Sequence, residues 1–291
     1  MKITRILVAV TAAAALSVPS TAVAAPTVDP GVTAAYAVYD RNTGRMKLSS
    51  NEHMKIRSAS IVKILIALDY LEKRGPGASI PQADLDRLIP MLRSSDDNAA
   101  SALWVQEGWE KIIQRMIAKI GLEDTEPPAQ VGYWGYTAVS ASDIVKIYRY
   151  IQERANPSFH NFIMTNLHYA TKCAADGFDQ SFGIPSAVPG YPGWKQGWSG
   201  FGDTPPRPCA AAQAKRTDLG AAKEGPLSPG IMAASDIDLK RPALHTSGVY
   251  SRYDRKIIVV LTLQPEGTSW DVAAGRVTNL TRELYAAEAS A

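Results

Sequence analysis

Residues 256–263 read Lys-Ile-Ile-Val-Val-Leu-Thr-Leu, an almost unbroken run of apolar, largely β-branched side chains. Successive side chains of a strand point to opposite faces of its sheet. A strand that is apolar at nearly every position therefore has to be covered on both, and the run predicts a central, buried strand.

The rest of the chain can be arranged around it. Leu244 to Tyr250 is a second strand, joined to the first through Arg252-Tyr253-Asp254-Arg255, and Gly193 to Trp198 is a short aromatic third. Near the start, Thr33 to Asp40 and Arg45 to Ser49 flank Arg41-Asn42-Thr43-Gly44, which has hairpin-turn chemistry. Between the early and late strands the spacing is helical. Ile61 to Leu71 is apolar almost all round and stops at Gly75-Pro76. Asp97 to Gln106, Trp109 to Ile120 and Ser140 to Arg154 carry apolar residues three and four apart. Trp270 to Ala287 closes the chain as an amphipathic helix. This order predicts an α/β, more strictly α+β, protein: a five-stranded antiparallel sheet with flanking helices and an inserted all-helical lobe. The sheet lobe would take residues 30–59 and 183–291 and the helical lobe 60–182, with a cleft between them. A long loop over 200–242, rich in Pro, Gly and Ala, has no sustained periodicity.

Residues 1–24 read as a secretory signal peptide: Lys2 and Arg5, then an apolar stretch over Ile6 to Val18, then Ala22-Val23-Ala24 as the cleavage site. The stretch is too short for a stable membrane anchor, and no cysteine stands at the cut to take a lipid. A secreted single domain over 25–291 is expected. The formal net charge of +3 falls to +1 without Lys2 and Arg5. Nothing in that balance suggests nucleic acid or an anionic membrane surface as a partner. The only cysteines, Cys173 and Cys209, form an intrachain disulfide or stay as two thiols; an oxidising compartment favours the bridge. His53, His160, His168 and His245 show no metal-ligand spacing, and no cofactor is expected.

Three short motifs carry chemistry. In Ser60-Ile61-Val62-Lys63, a helical spacing of three puts hydroxyl and ammonium on one face. An apolar setting disfavours a charged lysine, and such a lysine can take the serine's proton and make it a nucleophile. Alone, the tetrapeptide is as well explained by Ser60 capping a helix and Lys63 reaching out from it. The second motif is Ser95-Asp96-Asp97, at a helix start, where Ser95 could equally be a cap. The third is Lys195-Gln196-Gly197 on the aromatic strand, where Lys195 could equally be solvated.

Together and in this order, the three motifs resemble the signature of the penicillin-recognising serine hydrolases, especially the class A β-lactamases. The turn at Asp40 to Gly44 adds to the resemblance, which extends over nearly all of residues 25–291. It implies a β-lactamase/transpeptidase-like fold and an acyl-enzyme at Ser60. Lys63 would act as the base, Ser95 would pass a proton to the leaving nitrogen, and Lys195 would supply positive charge. The Ser60 and Trp198 backbone N–H groups would form the oxyanion hole. Asp97, Gln196, Gly197 and Trp198 would contact the substrate, with Gly197 leaving room at the strand. The substrate would be a β-lactam or related amide, or a cell-wall peptide cut by a D,D-peptidase. A non-catalytic relative would bind cell-wall fragments or a partner through the same cleft.

The chain departs from the pattern in four places. Asp97 replaces an asparagine that can donate to a substrate amide carbonyl, whereas an ionised aspartate only accepts. Gln196 replaces threonine or serine. The spacing from Ser60 to Ser95 is short, which implies a trimmed helical lobe. The deacylating Glu-x-x-x-Asn loop has as its nearest counterpart Glu126-Pro127-Pro128-Ala129-Gln130, which fits at its first residue and not at its last. Efficient β-lactam hydrolysis is therefore not expected.

Overall fold

The computed structural model describes residues 25–209 and 237–289. The segment read as a signal peptide, and most of the loop expected over 200–242, lie outside these residues.

A five-stranded antiparallel sheet forms from β1 (Thr33–Asp40), β2 (Arg45–Ser50), β5 (Gly193–Ser199), β6 (Ala243–Tyr250) and β7 (Lys256–Leu263), in the spatial order β2-β1-β7-β6-β5. The apolar run is thus the middle strand, and its two faces are filled differently. Ile257, Val259, Leu261 and Leu263 join the core beneath the helical lobe. Ile258 and Val260 join a second core with Trp270, Val277, Leu280 and Leu284 of the last helix, α8 (Trp270–Ala289). Strand β1 alternates in the same way, with Ala35, Ala37 and Tyr39 on the first face and Ala34, Tyr36 and Val38 on the second.

The helical lobe contains α1 (Lys63–Arg74), α2 (Gln82–Arg93), α3 (Asp97–Glu107), α4 (Lys111–Ile120), α5 (Ala141–Glu153) and α6 (Pro157–His168). Helix α1 is apolar nearly all round because it is surrounded: every residue from Lys63 to Leu71 is buried. Each fully buried leucine or isoleucine there contributes about 1.5–3 kcal/mol. The helix ends where Gly75 takes φ 79°, a conformation open to glycine at little cost.

Two small elements were not expected. Strands β3 (Ile56–Arg57) and β4 (Ala138–Val139) pair as a separate small sheet, too short to show a period. A single helical turn, α7 (Ile184–Ala187), precedes β5. Cys173 and Cys209 are joined as a disulfide, with Cα atoms 5.5 Å apart. Among the described residues no helix is long and apolar enough to cross a membrane.

Candidate active site

The β3–β4 pairing fixes the chain just ahead of Ser60. The Ser58 N–H donates to Thr137 O at 2.8 Å, and Ala59 then adopts φ 45°. A left-handed conformation at a non-glycine residue costs on the order of 1–3 kcal/mol, so the surrounding packing imposes it. Ser60 lies in a 3-10 turn, Ala59–Val62, and Lys63 is the first residue of α1. Ser60 therefore does not cap α1; it sits one turn ahead of the lysine, and only 5% of it is exposed.

Lys63 is wholly buried. Its Nζ is 2.8 Å from Ser60 Oγ, 2.7 Å from Ser95 O, 3.1 Å from Ser95 Oγ and 2.5 Å from Asp97 Oδ1. The indole of Trp134 faces the same nitrogen, with its ring centroid 4.8 Å away. The apolar setting expected for Lys63 is thus replaced on one side by an ion pair, because the α3 start places the Asp97 carboxylate directly against it.

Ser95 is free for the site because its neighbour does the capping. Asp96 is the N-cap of α3 and accepts from Ala99 N at 3.0 Å. Ser95 itself has φ 56°, a second left-handed non-glycine residue at the site. From the sheet side, Lys195 Nζ donates to Ser95 Oγ at 2.8 Å and to Gln196 O at 3.1 Å. Burial, then the charge of Lys63, push the Lys195 ammonium well below the ordinary lysine range.

Strand β5 can approach Ser60 this closely because of Gly197. A Cβ there would lie 2.9 Å from Ser58 O and 3.1 Å from Ile61 Cγ1. Ser60, Lys63, Ser95 and Lys195 therefore converge, with Asp97 and Gly197 at their edge.

Gln196 and Trp198 do not line this space with their side chains. Strand alternation sends them to the face opposite Lys195. Gln196 is fully buried and donates to Gln180 O and Phe182 O, at 3.1 and 2.5 Å. The expected contact between its amide and a substrate is corrected accordingly, since both N–H donors are spent inside the protein and the amide oxygen is buried with them. Trp198 meets Phe178 at a tilt and Trp270 edge-on, and donates to Asp176 Oδ2 at 3.2 Å. Asp97, expected to meet the substrate, is held by Lys63 through one oxygen while 45% of its side chain stays exposed.

Two neighbours escaped sequence reading. Trp134 reaches Lys63 from a 3-10 turn, Trp134–Tyr136, held there by its Nε1 donating to Ser101 Oγ at 3.1 Å. Asp176 arrives on the loop that the disulfide ties down. The Gly-Tyr-Trp-Gly sequence around Trp134 is an unusual loop composition and a faint signal; Asp176 had none. Glu126 forms an ion pair with Lys55 and pairs its backbone with Ala138.

This architecture is the fold of the penicillin-recognising serine hydrolases. The class A β-lactamase of Mycobacterium abscessus matches with a TM-score of 0.61 at 16% identity, over 88% of this chain and 94% of that one. PBP-A matches with a TM-score of 0.61 at 13% identity, over 89% and 91%. A class A β-lactamase from Bacteroides cellulosilyticus gives 0.61 at 13% identity, over 89% and 92%. No family model matches the chain. In sequence it is similar to LppW of Mycobacterium tuberculosis, a protein named as a lipoprotein, with 34% identity over 173 residues. That match takes in 58% of this chain and 54% of LppW, so the chain spans about half the length of the curated relatives it matches.

Proposed function

We propose that the protein is an exported serine hydrolase that forms an acyl-enzyme at Ser60 with a β-lactam or a related amide. The observation that carries this reading is the position of Lys63 Nζ, within 3.1 Å of both Ser60 Oγ and Ser95 Oγ. Two of the other oxygens around that nitrogen, Ser95 O and Asp97 Oδ1, can only accept. Once the ammonium paired with Asp97 has released one proton, the Lys63 amine would give these two oxygens its remaining protons and turn its lone pair toward the hydroxyls. That is the orientation a general base needs.

Ser60 Oγ would attack the carbonyl as its proton passes to Lys63. The developing oxyanion would meet the backbone N–H groups of Ser60 and Trp198. Ser95 Oγ already accepts from Lys195, so its own proton is available for the leaving nitrogen, and the proton that Lys63 took from Ser60 would replace it across 3.1 Å. The product of this half-reaction is the acyl-Ser60 ester; the amine departs from a linear amide and stays tethered in the ring-opened acyl group of a β-lactam.

The neighbours of Lys63 support a slow second half. The side chain facing it from the loop after α4 is the indole of Trp134, which cannot take a proton from water, while Glu126 is engaged by Lys55. This favours lasting acylation over rapid β-lactam turnover and keeps D,D-peptidase action on cell-wall peptides as the second reading. Export rests on the signal-like residues 1–24 and on the lipoprotein name of the relative LppW.

A fluorescent penicillin and a chromogenic cephalosporin, each tried on the protein and on Ser60→Ala, test the reading. Labelling that persists for many minutes and vanishes in Ser60→Ala is expected. Labelling that survives the substitution would refute Ser60 as the nucleophile, and fast cephalosporin turnover would refute the slow release.

A further inference from the structure

The candidate site is basic inside and acidic at its edge. Both lysines are buried, Lys63 at 0% and Lys195 at 1% exposure. The Asp97 carboxylate, by contrast, stands 45% exposed at the edge of the group. Only its Oδ1 is held by Lys63. A carboxylate offers about four acceptor positions over its two oxygens, so Oδ2 keeps its capacity for an incoming donor. Asp176 brings a second carboxyl toward the same region. Its Oδ1 accepts from Phe178 N at 3.1 Å and its Oδ2 from Trp198 Nε1 at 3.2 Å. Trp198 directly follows the Lys195-Gln196-Gly197 segment that lies against Ser60. The loop carrying Asp176 is bound to the Ser95 segment as well, since Ala175 N donates to Ser94 O at 2.7 Å.

We propose that Asp97, with Asp176 behind it, selects acyl donors that present an ammonium, or another N–H donor, next to the scissile carbonyl. The inference rests on the acyl-transfer reading of the site and adds to it a substrate class: amides with an amine-bearing acyl part. An asparagine at position 97 would offer an N–H to a substrate carbonyl. The aspartate offers only acceptors, so a carbonyl placed there meets a negative charge with no donor, and an ammonium meets a partner. Charge-assisted hydrogen bonds of this kind are the strong ones. The second carboxyl sharpens the preference. Burial and the charge of Asp97 hold the Asp176 carboxyl above its ordinary range, and a cation held at Asp97 would offset that repulsion.

Ampicillin and benzylpenicillin form a matched pair for the test. They share the ring system and ring carboxylate and differ by one amino group on the acyl side, which is protonated at about pH 6. Acylation rate constants are measured for both, with the protein and with Asp97→Asn and Asp176→Asn. In parallel, calorimetry compares non-covalent binding of both to Ser60→Ala, so that recognition is read even without chemistry. The expected result is faster acylation by ampicillin, by about tenfold or more, lost in Asp97→Asn and reduced in Asp176→Asn, with the same order of binding to Ser60→Ala. Equal rates and equal binding, or a preference that survives Asp97→Asn, would overturn the proposal. Should neither probe acylate the protein, the acyl-transfer reading fails by itself. The binding to Ser60→Ala then decides the recognition: a preference for ampicillin upholds it and equal binding overturns it.

Discussion

Lys195 Nζ donates to Ser95 Oγ at 2.8 Å from a position with almost no exposure to solvent. Among the described residues its hydrogen-bond partners are a hydroxyl and the Gln196 carbonyl, with no carboxylate between them. Burying an ammonium this way is costly unless it is paired, so Lys195 is held at the expense of stability.

Replacing it by an apolar residue of similar length is therefore expected to separate stability from activity. Lys195→Met should be more stable than the parent by about 1–4 kcal/mol near neutral pH, in the range seen when buried charges give way to packing. Acylation should fall by about a hundredfold or more, because Ser95 loses its charged partner. The sign of the pH dependence follows from the depressed pKa. Between the folded-state value and 10.5 the unfolded chain holds the extra proton, so parent stability rises with pH through that window. The gap to Lys195→Met should narrow accordingly. Denaturant melts over a pH series measure it, and a gap that does not change with pH would refute the assignment.

Gly197→Ala tests the contact between β5 and the turn that carries Ser60. The added methyl would meet a backbone oxygen, Ser58 O, at 2.9 Å, and backbone cannot swing aside as a side-chain tip can. Overpacking of this type costs about 1–3 kcal/mol. The strand has to back away, which lengthens the path from Lys195 to Ser95. A lowered melting temperature together with slowed penicillin labelling is expected; an unchanged labelling rate would mean that the strand's approach does not set the site.

Much of this arrangement was legible because it depends on local pattern. The run at 256–263 had to lie in mid-sheet, and the helix spacing placed α1, α3, α4 and α5 within a few residues. That Ser60, Lys63, Ser95 and Lys195 come together could be read from three motifs in a known order. What could not be read depends on contacts distant in sequence. Asp97 reaches Lys63 across 34 positions, Trp134 comes from a turn without periodicity, and Asp176 is brought in by a loop whose course the disulfide helps to set. Gln196 is different in kind. Once Lys195 was assigned to the cleft, strand alternation already required its neighbour to face away, and a motif read as a unit obscured that.

The Cys173–Cys209 bridge spans 36 positions. A loop of that length, closed in the unfolded chain, corresponds to about 3–4 kcal/mol in the chain-entropy account. Cys209→Ser is expected to lose most of this, seen as a lower denaturation midpoint. The same loop supplies Ala175 N to Ser94 O and Gln180 Nε2 to Arg93 O at 2.9 Å, so labelling at Ser60 should slow before the protein unfolds. Equal midpoints with and without reductant would count against a stabilising bridge.

His245 gives the protein an acid limit. It is fully buried in β6, where Nδ1 accepts from Thr262 N at 3.1 Å. That makes Nε2 the protonated nitrogen, and it donates to Arg57 O at 2.9 Å, three residues ahead of Ser60. Burial lowers its pKa from 6.5 to about 4. Because the folded state resists the proton and the unfolded chain accepts it, stability is full above pH 6.5 and is lost as the pH falls toward 4. The loss over that window is on the order of 3 kcal/mol. His245→Gln keeps a donor without the titration. It should start from a lower stability at neutral pH, since the amide fits the site less well, and fall less steeply between pH 6.5 and 4. Denaturant melts of both proteins across that range check the slope. Parallel curves would assign the acid sensitivity to other groups and detach it from the strand contact that holds Arg57 in place.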